Sequence, residues 1–219
     1  MNNEPIPKRC RIVLVAPPAA SADDLVAKLG EALSGGDVAS VLLPAYDMDE
    51  TLFQAFAEAA VPLVQHAGAA AIIVGNTQVA GRVKADGLHV EGPVADLAAN
   101  VARFSPKMIV GTGNIKNRHT ALEIGEAQPD YVLFGKIAAD NKPEAHPRNI
   151  DLADWWASMV EIPCIIQAGN TLESIPDAVT TGAEFIALGA AIFDGTDPAA
   201  AVREANRLLD LHAPVFEED

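Results

Sequence analysis

Short apolar runs alternate with longer segments in which apolar residues recur every three or four positions, from residue 11 to residue 212. The runs are RIVLVA (11–16), VASVLL (38–43), AAIIVG (70–75), DGLHV (86–90), KMIVG (107–111), DYVLFG (130–135), PCIIQA (163–168) and EFIALG (184–189). Most lack a polar alternate, the pattern of strands buried on both faces, as in a parallel sheet covered by helices. Between them, ADDLVAKLGEAL starts after Ser21, a natural N-cap. DETLFQAFAEAAVPLVQHAG is long, with a kink expected at Pro62. PVADLAANVARF, RHTALEIGEAQ, DLADWWASMV, LESIPDAVTTG and PAAAVREANRLLDLH are further helices, and TQVAGRVKA is short and weakly helical. Eight strands, each followed by a helix in a 219-residue chain, predict the α/β class and a single (β/α)8, or TIM, barrel over 1–219. Residues 1–10 are expected to be a flexible N-terminus and 212–219 an acidic tail. A doubly wound open sheet is the alternative, but it calls for fewer strands and a glycine-rich first turn, and the first turn here is APPAAS.

Composition narrows the partners. Fifteen basic residues face thirty acidic ones, a net charge of -15, and no basic stripe is visible. That disfavours nucleic acid and an anionic membrane surface. Any phosphate must be held by backbone N–H groups and a few cations. No apolar run reaches the roughly 20 residues that span a bilayer. The N-terminus MNNEPIPKRC lacks a signal-peptide core, and Cys10 and Cys164 lie in or beside apolar runs. A cytoplasmic location is the expectation.

Aromatics are 5% of the chain, yet Trp155 and Trp156 adjoin beside Met159. One is expected to pack on the barrel while the other faces a partner subunit; Trp156 is the anchor such a homodimer would lose on truncation. The alternative is that both cover the core.

In a barrel, chemistry gathers at the carboxyl ends of the strands. The seventh run leads into Gln167-Ala168-Gly169-Asn170-Thr171 and the eighth into Gly189-Ala190-Ala191. Ala168, Gly169, Asn170, Gly189, Ala190 and Ala191 are small or amide residues that would let backbone N–H groups approach a phosphate. They could equally just close tight turns. Elsewhere on the rim are Tyr46, Asn76, His89, Glu91, Asn114, Lys116, Lys136 and Lys142. Asn76 with Glu91 or Asp96 offers oxygen ligands of the kind Mg²⁺ takes. His89 is a candidate base, with a packed strand-end histidine as the other reading; His66, His119 and His212 are read as surface residues. The longest stretch without a pattern, 135–149, carries Lys136, Lys142, His146 and Arg148. It is either a lid delivering cations to an anion or a solvated loop. No zinc spacing, nucleophile elbow, P-loop or dinucleotide fingerprint is present.

ADGLHVEG (85–92), IVGTGN (109–114), PDYVLFGKI (129–137), EIPCIIQAGNT (161–171) and GAEFIALGAAIFDGTDP (182–198) together resemble the thiamine phosphate synthase superfamily, which includes the thiazole tautomerases. The resemblance spans roughly 38–200. It implies a transferase-type enzyme of thiamine biosynthesis that joins a pyrimidine pyrophosphate to a thiazole phosphate with Mg²⁺, or a tautomerase-like relative. It also implies a phosphorylated small-molecule ligand at the last two turns and a homodimer.

The departures from that pattern are concentrated. Where the synthases carry Gln-x-Arg-x-Lys, VLLPAYDMDE (41–50) places Leu42, Pro44 and Tyr46. An Asn-Asp pair is Gly75-Asn76, Gly-Gln-x-Asp has become Glu91-Gly92-Pro93 with Asp96 out of register, and a serine falls on Gly113. A Thr-x-Thr-Lys run reads Asp140-Asn141-Lys142, so only the lysine remains; Lys142 and His89 are the catalytic candidates. A departing pyrophosphate needs cations and metal to stabilise it. The expectation is therefore a divergent member that binds a phosphorylated small molecule, with weak or absent synthase activity. A non-catalytic or regulatory barrel, and an isomerase or epimerase using His89, Glu91 and Lys136, are the alternatives.

Overall fold

A computed structural model describes residues 7–137, 139 and 141–216. The expected N-terminal tail before residue 7 and the acidic residues after 216 lie outside them. Eight parallel strands close into a barrel in chain order. They are β1 (Arg11–Val15), β2 (Ser40–Leu43), β3 (Ala70–Val74), β4 (Gly87–Val90), β5 (Ile109–Thr112), β6 (Tyr131–Phe134), β7 (Cys164–Gln167) and β8 (Phe185–Leu188). The ring is sealed where Leu14 pairs with Leu188 across β1 and β8. The helices are α1 (Ala22–Leu33), α2 (Glu50–His66), α3 (Thr77–Val83), α4 (Val94–Phe104), α5 (Arg118–Glu126), α6 (Pro147–Ala157), α7 (Ile175–Val179), α8 (Ala190–Phe193) and α9 (Pro198–His212), with a 3₁₀ turn (Leu172–Ser174) before α7. No helix among the described residues is long and apolar enough to cross a membrane.

Local chemistry starts the helices. Ser21 Oγ accepts from the Asp24 N–H at 3.1 Å, as the sequence predicts. In VLLPAYDMDE the strand stops at Leu43, and Asp49 Oδ1 accepts from the Leu52 N–H at 2.8 Å to cap α2. Asp49 and Glu50 are the cap and first turn of that helix, where carboxylates oppose the positive end of its dipole, while Asp47 lies in the turn before the cap. α2 runs on through Pro62 to His66. α6 begins four residues earlier than the apolar pattern places it. Pro147 occupies its first turn and His146 Nδ1 accepts from the Arg148 N–H at 3.1 Å, a cap that periodicity cannot reveal. The patternless stretch therefore ends at His146 rather than 149.

Alternation along the strands builds two apolar layers. Leu14, Val41, Ile73, Val110, Val132, Phe134, Ile166 and Ile186 meet the helices. Val13, Val15, Leu42, Ile72, Tyr131, Leu133, Ile165 and Ala187 fill the barrel. Trp156 belongs to the outer layer with no exposed surface, and its Nε1–H donates to the Ile162 carbonyl at 2.7 Å. The expectation of Trp156 as a subunit anchor is thus corrected: it is a core residue, edge-on to Phe134. Trp155 is partly buried, with the Arg118 guanidinium 5.0 Å from its ring centre. Arg9 and Cys10, grouped by sequence with the N-terminal tail, are buried, and Arg9 pairs with Asp210 at 2.7 Å.

Candidate functional site

The inward positions of β4, β5 and β6 place a polar group on the barrel axis. Gly111 on β5 leaves room for the Tyr131 ring: a Cβ there would lie 2.1 Å from Tyr131 Cζ. The ring crosses beneath His89, and its hydroxyl lies 2.9 Å from His89 Nδ1. Burial pushes the Tyr131 phenol far above its ordinary pKa, with Asp130 adding to the effect, so the proton stays on oxygen. The phenol and Nδ1 share one hydrogen bond, whose donor is set by the imidazole tautomer. The other ring nitrogen, His89 Nε2, is buried and has no hydrogen-bond partner among the described residues. Its nearest counter-group is Glu91 Oε1, 3.8 Å away.

Glu91 leads outward to the rim. Its Oε2 accepts from Asn114 Nδ2 at 3.3 Å, and the Lys116 ammonium bonds Asn114 Oδ1. The His89 ring beside it holds the Glu91 carboxyl below its ordinary range against the effect of burial, with Asn114 and Lys136 adding to the lowering. The structure thus brings together His89, Glu91, Asn114, Lys116 and Lys136 from the ends of β4, β5 and β6. Gly113 belongs to this group, since a Cβ there would lie 3.0 Å from His89 Nε2.

Asn76 and Asp96 are elsewhere. Asn76 Oδ1 caps α3, accepting from the Gln78 and Val79 N–H groups at 3.1 and 2.9 Å. Asp96 is exposed in the first turn of α4. Among the described residues no three His, Cys, Asp or Glu side chains converge. The residues present therefore do not fit a protein-built Mg²⁺ site: Glu91 stands as a single carboxylate at the mouth, and the Asn76 oxygen already serves two backbone donors.

The turns after β7 and β8 border a cavity of about 540 Å³, lined by Val15, Tyr46, Asn141, Asn170, Gly189 and Ala190 among others. Tyr46 adopts a φ of 49° and its hydroxyl donates to the Ala16 carbonyl at 2.6 Å, tying the end of β2 to that of β1. On the β7 side the backbone donors already have protein acceptors. Ala168 N–H reaches the Ala187 carbonyl at 3.2 Å, Gly169 N–H the Ser174 hydroxyl at 3.0 Å, and Asn170 N–H the Lys142 carbonyl at 2.8 Å. The last of these straps the β6–α6 segment across the β7 turn, with Thr171 Oγ1 donating to the Pro143 carbonyl at 3.2 Å. Only glycine fits beneath the strap, because a Cβ on Gly169 would lie 2.1 Å from the Pro143 oxygen.

Behind the strap lies another cavity, of about 260 Å³, lined by Lys142, His146, Asn149 and Gln167 among others. Asn149 and Gln167 were not among the residues singled out by sequence; a glutamine closing the apolar run PCIIQA was the available signal. A third cavity, of about 300 Å³, opens at the amino ends of the strands around Val13, Ala70, Ile109 and Phe185, at the opposite end from the rim residues.

Comparison with known proteins follows this geometry. A family model described as thiamine monophosphate synthase matches residues 12–192. The thiamine-phosphate synthase of Rhodospirillum centenum is 34% identical over 206 residues, covering 91% of this chain and 98% of its own. That of Hyphomonas neptunium is 32% identical over 209 residues, covering 92% and 95%. Among solved structures, a thiamine phosphate pyrophosphorylase from Pyrococcus furiosus superposes with a TM-score of 0.74 at 17% identity, covering 92% of this chain and 96% of that one. A 3-hexulose-6-phosphate synthase superposes with a TM-score of 0.69 at 17% identity, covering 90% and 99%. At these identities the structural likeness speaks for the barrel alone.

Proposed function

The chain belongs to the thiamine monophosphate synthase family, and from that premise we propose that it binds a phosphorylated small molecule, thiazole phosphate or a close analogue. The site is the cavity at the carboxyl ends of β1, β7 and β8. Its pyrimidine-pyrophosphate half no longer serves the family's reaction. One observation carries this reading: Tyr46 occupies the end of β2, where the family pattern has a lysine, and its hydroxyl is tied to the Ala16 carbonyl. A tyrosine offers no positive charge to a leaving pyrophosphate, and Leu42 and Pro44 offer none either. Interactions that strengthen as charge develops are the ones that accelerate a reaction, so their joint loss weighs against turnover.

The phosphate anchor we favour is Gly189-Ala190-Ala191. Gly189 and Ala190 line the 540 Å³ cavity, where small residues leave room for a ligand to approach the backbone. Lys142, on the strap, lines the 260 Å³ cavity and is the lysine that survives from the family motif. The same loss of cations favours a non-catalytic, ligand-sensing barrel as the second reading. The acid–base isomerase reading ranks lower, because the His89 ring is fully enclosed.

Two measurements test the proposal. Isothermal titration with thiazole phosphate should give saturable binding, and a coupled assay for pyrophosphate release with both thiamine precursors should give little or no product. Absence of binding by any phosphate compound would end the ligand reading. Turnover at an ordinary enzymatic rate would end the claim of a degenerate half-site.

A further inference from the structure

The cavity behind the strap carries its own chemistry. Ala145 and Ala168, 4% and 3% exposed, contribute apolar wall. Asn149 and Gln167, only 7% and 5% exposed, also line it. Gln167 Oε1 accepts from the Lys136 N–H at 2.6 Å, which assigns its oxygen and turns its NH₂ the other way. Among the described residues that NH₂ and the Asn149 carboxamide make no side-chain hydrogen bond to the protein, and neither is sealed from solvent, the fully buried unpartnered side-chain atom being His89 Nε2. A donor and an acceptor without a protein partner on the wall of one cavity are available to a ligand that enters it.

The chemistry of the pair specifies that occupant. Both groups are neutral, and Asn149 presents a donor next to an acceptor. The charged lining groups, Lys142 and Glu144, are exposed and of opposite sign, so the cavity has no net charge to attract an ion. About 260 Å³ admits a single ring. It is separated from the 540 Å³ mouth cavity by the strap, and the two share Asn141.

We infer that the cavity behind the β6–α6 strap is a second binding site, for a small uncharged cyclic amide or aminoheterocycle read by Asn149 and Gln167. Ligand and strap are adjacent: Lys142 and Glu144 line the cavity and flank Pro143, whose carbonyl oxygen lies against Gly169. Occupancy would therefore hold the strap in the position seen here.

The test is a titration of the full chain followed by amide NMR, with 2-pyridone, N-methyl-2-pyridone and inorganic phosphate as separate probes. 2-Pyridone should shift the resonances of 141–149 and 167–168 saturably. Its N-methyl analogue, lacking the donor, should bind at least about tenfold more weakly, since a site built on hydrogen bonds rejects a ligand that leaves them unmade. Gln167→Glu keeps the acceptor for Lys136 N–H and removes the donor; Asn149→Asp keeps the shape. Each should weaken 2-pyridone by about tenfold or more, and if one fails to fold the other still decides. No saturable shift with 2-pyridone, equal affinity for the N-methyl analogue, unchanged affinity in folded variants, or a preference for phosphate would each overturn the inference. Thiazole phosphate reports on the Gly189–Ala191 resonances instead, so failure here is distinguishable from failure of the proposed function.

Discussion

Gly169→Ala is the sharpest perturbation of the strap. The new Cβ would lie 2.1 Å from the Pro143 oxygen, 2.5 Å from its carbonyl carbon and 2.8 Å from the Glu144 carbonyl carbon. All three are backbone atoms, so no rotamer change relieves the overlap, and the segment must lift. Lifting breaks the Asn170 N–H to Lys142 carbonyl bond (2.8 Å) and the Thr171 hydroxyl to Pro143 carbonyl bond (3.2 Å). At about 0.5–1.5 kcal/mol each, the loss is about 1–3 kcal/mol. Gly30→Ala is the control. It lies inside α1 with nothing within 4 Å of a new Cβ, and should gain about 0.4–1 kcal/mol from reduced chain entropy and better helix propensity. Urea unfolding measures both changes. Hydrogen exchange locates the first: the Asn170 amide should lose protection while that of Ile166, within β7, keeps it. A stability change under about 0.5 kcal/mol, together with an unaltered Asn170 exchange rate, would refute the reasoning, because that is the range of an unremarkable surface substitution.

Three further outcomes are expected. Trp156→Ala should cost about 3–5 kcal/mol in denaturant unfolding, through the cavity left beside Phe134 and the orphaned Ile162 carbonyl, while size-exclusion chromatography shows the oligomeric state of folded protein unchanged. Glu91→Gln should destabilise the fold at neutral pH. Because the folded-state carboxyl titrates below the ordinary 4.5, wild type holds its advantage above that value and loses it as pH falls further, so the two melting curves should converge in acid. Cys10, buried and with its thiol raised to about 12, should resist a thiol reagent until denaturant is added, and Cys164, raised for the same reason, should behave alike.

The barrel was written in the chain because strand and helix periods are one-dimensional signals. Runs such as RIVLVA and EFIALG became β1 and β8, Ser21 caps α1, and Asp49 with Glu50 turned out to open α2, since each depends on neighbours a few residues away. Tertiary structure decided everything that depends on distant partners. It buried Trp156 by setting it against Phe134, twenty-two positions earlier in the sequence. It turned Asn76 into a helix cap and occupied the β7 turn's donors with the β6–α6 strap. It put Tyr131 under His89 because Gly111 leaves a gap one strand away. The residue types on the rim were legible from sequence, but which of their donors and acceptors are open depends on long-range hydrogen bonds. That accounting exists only once the chain has closed.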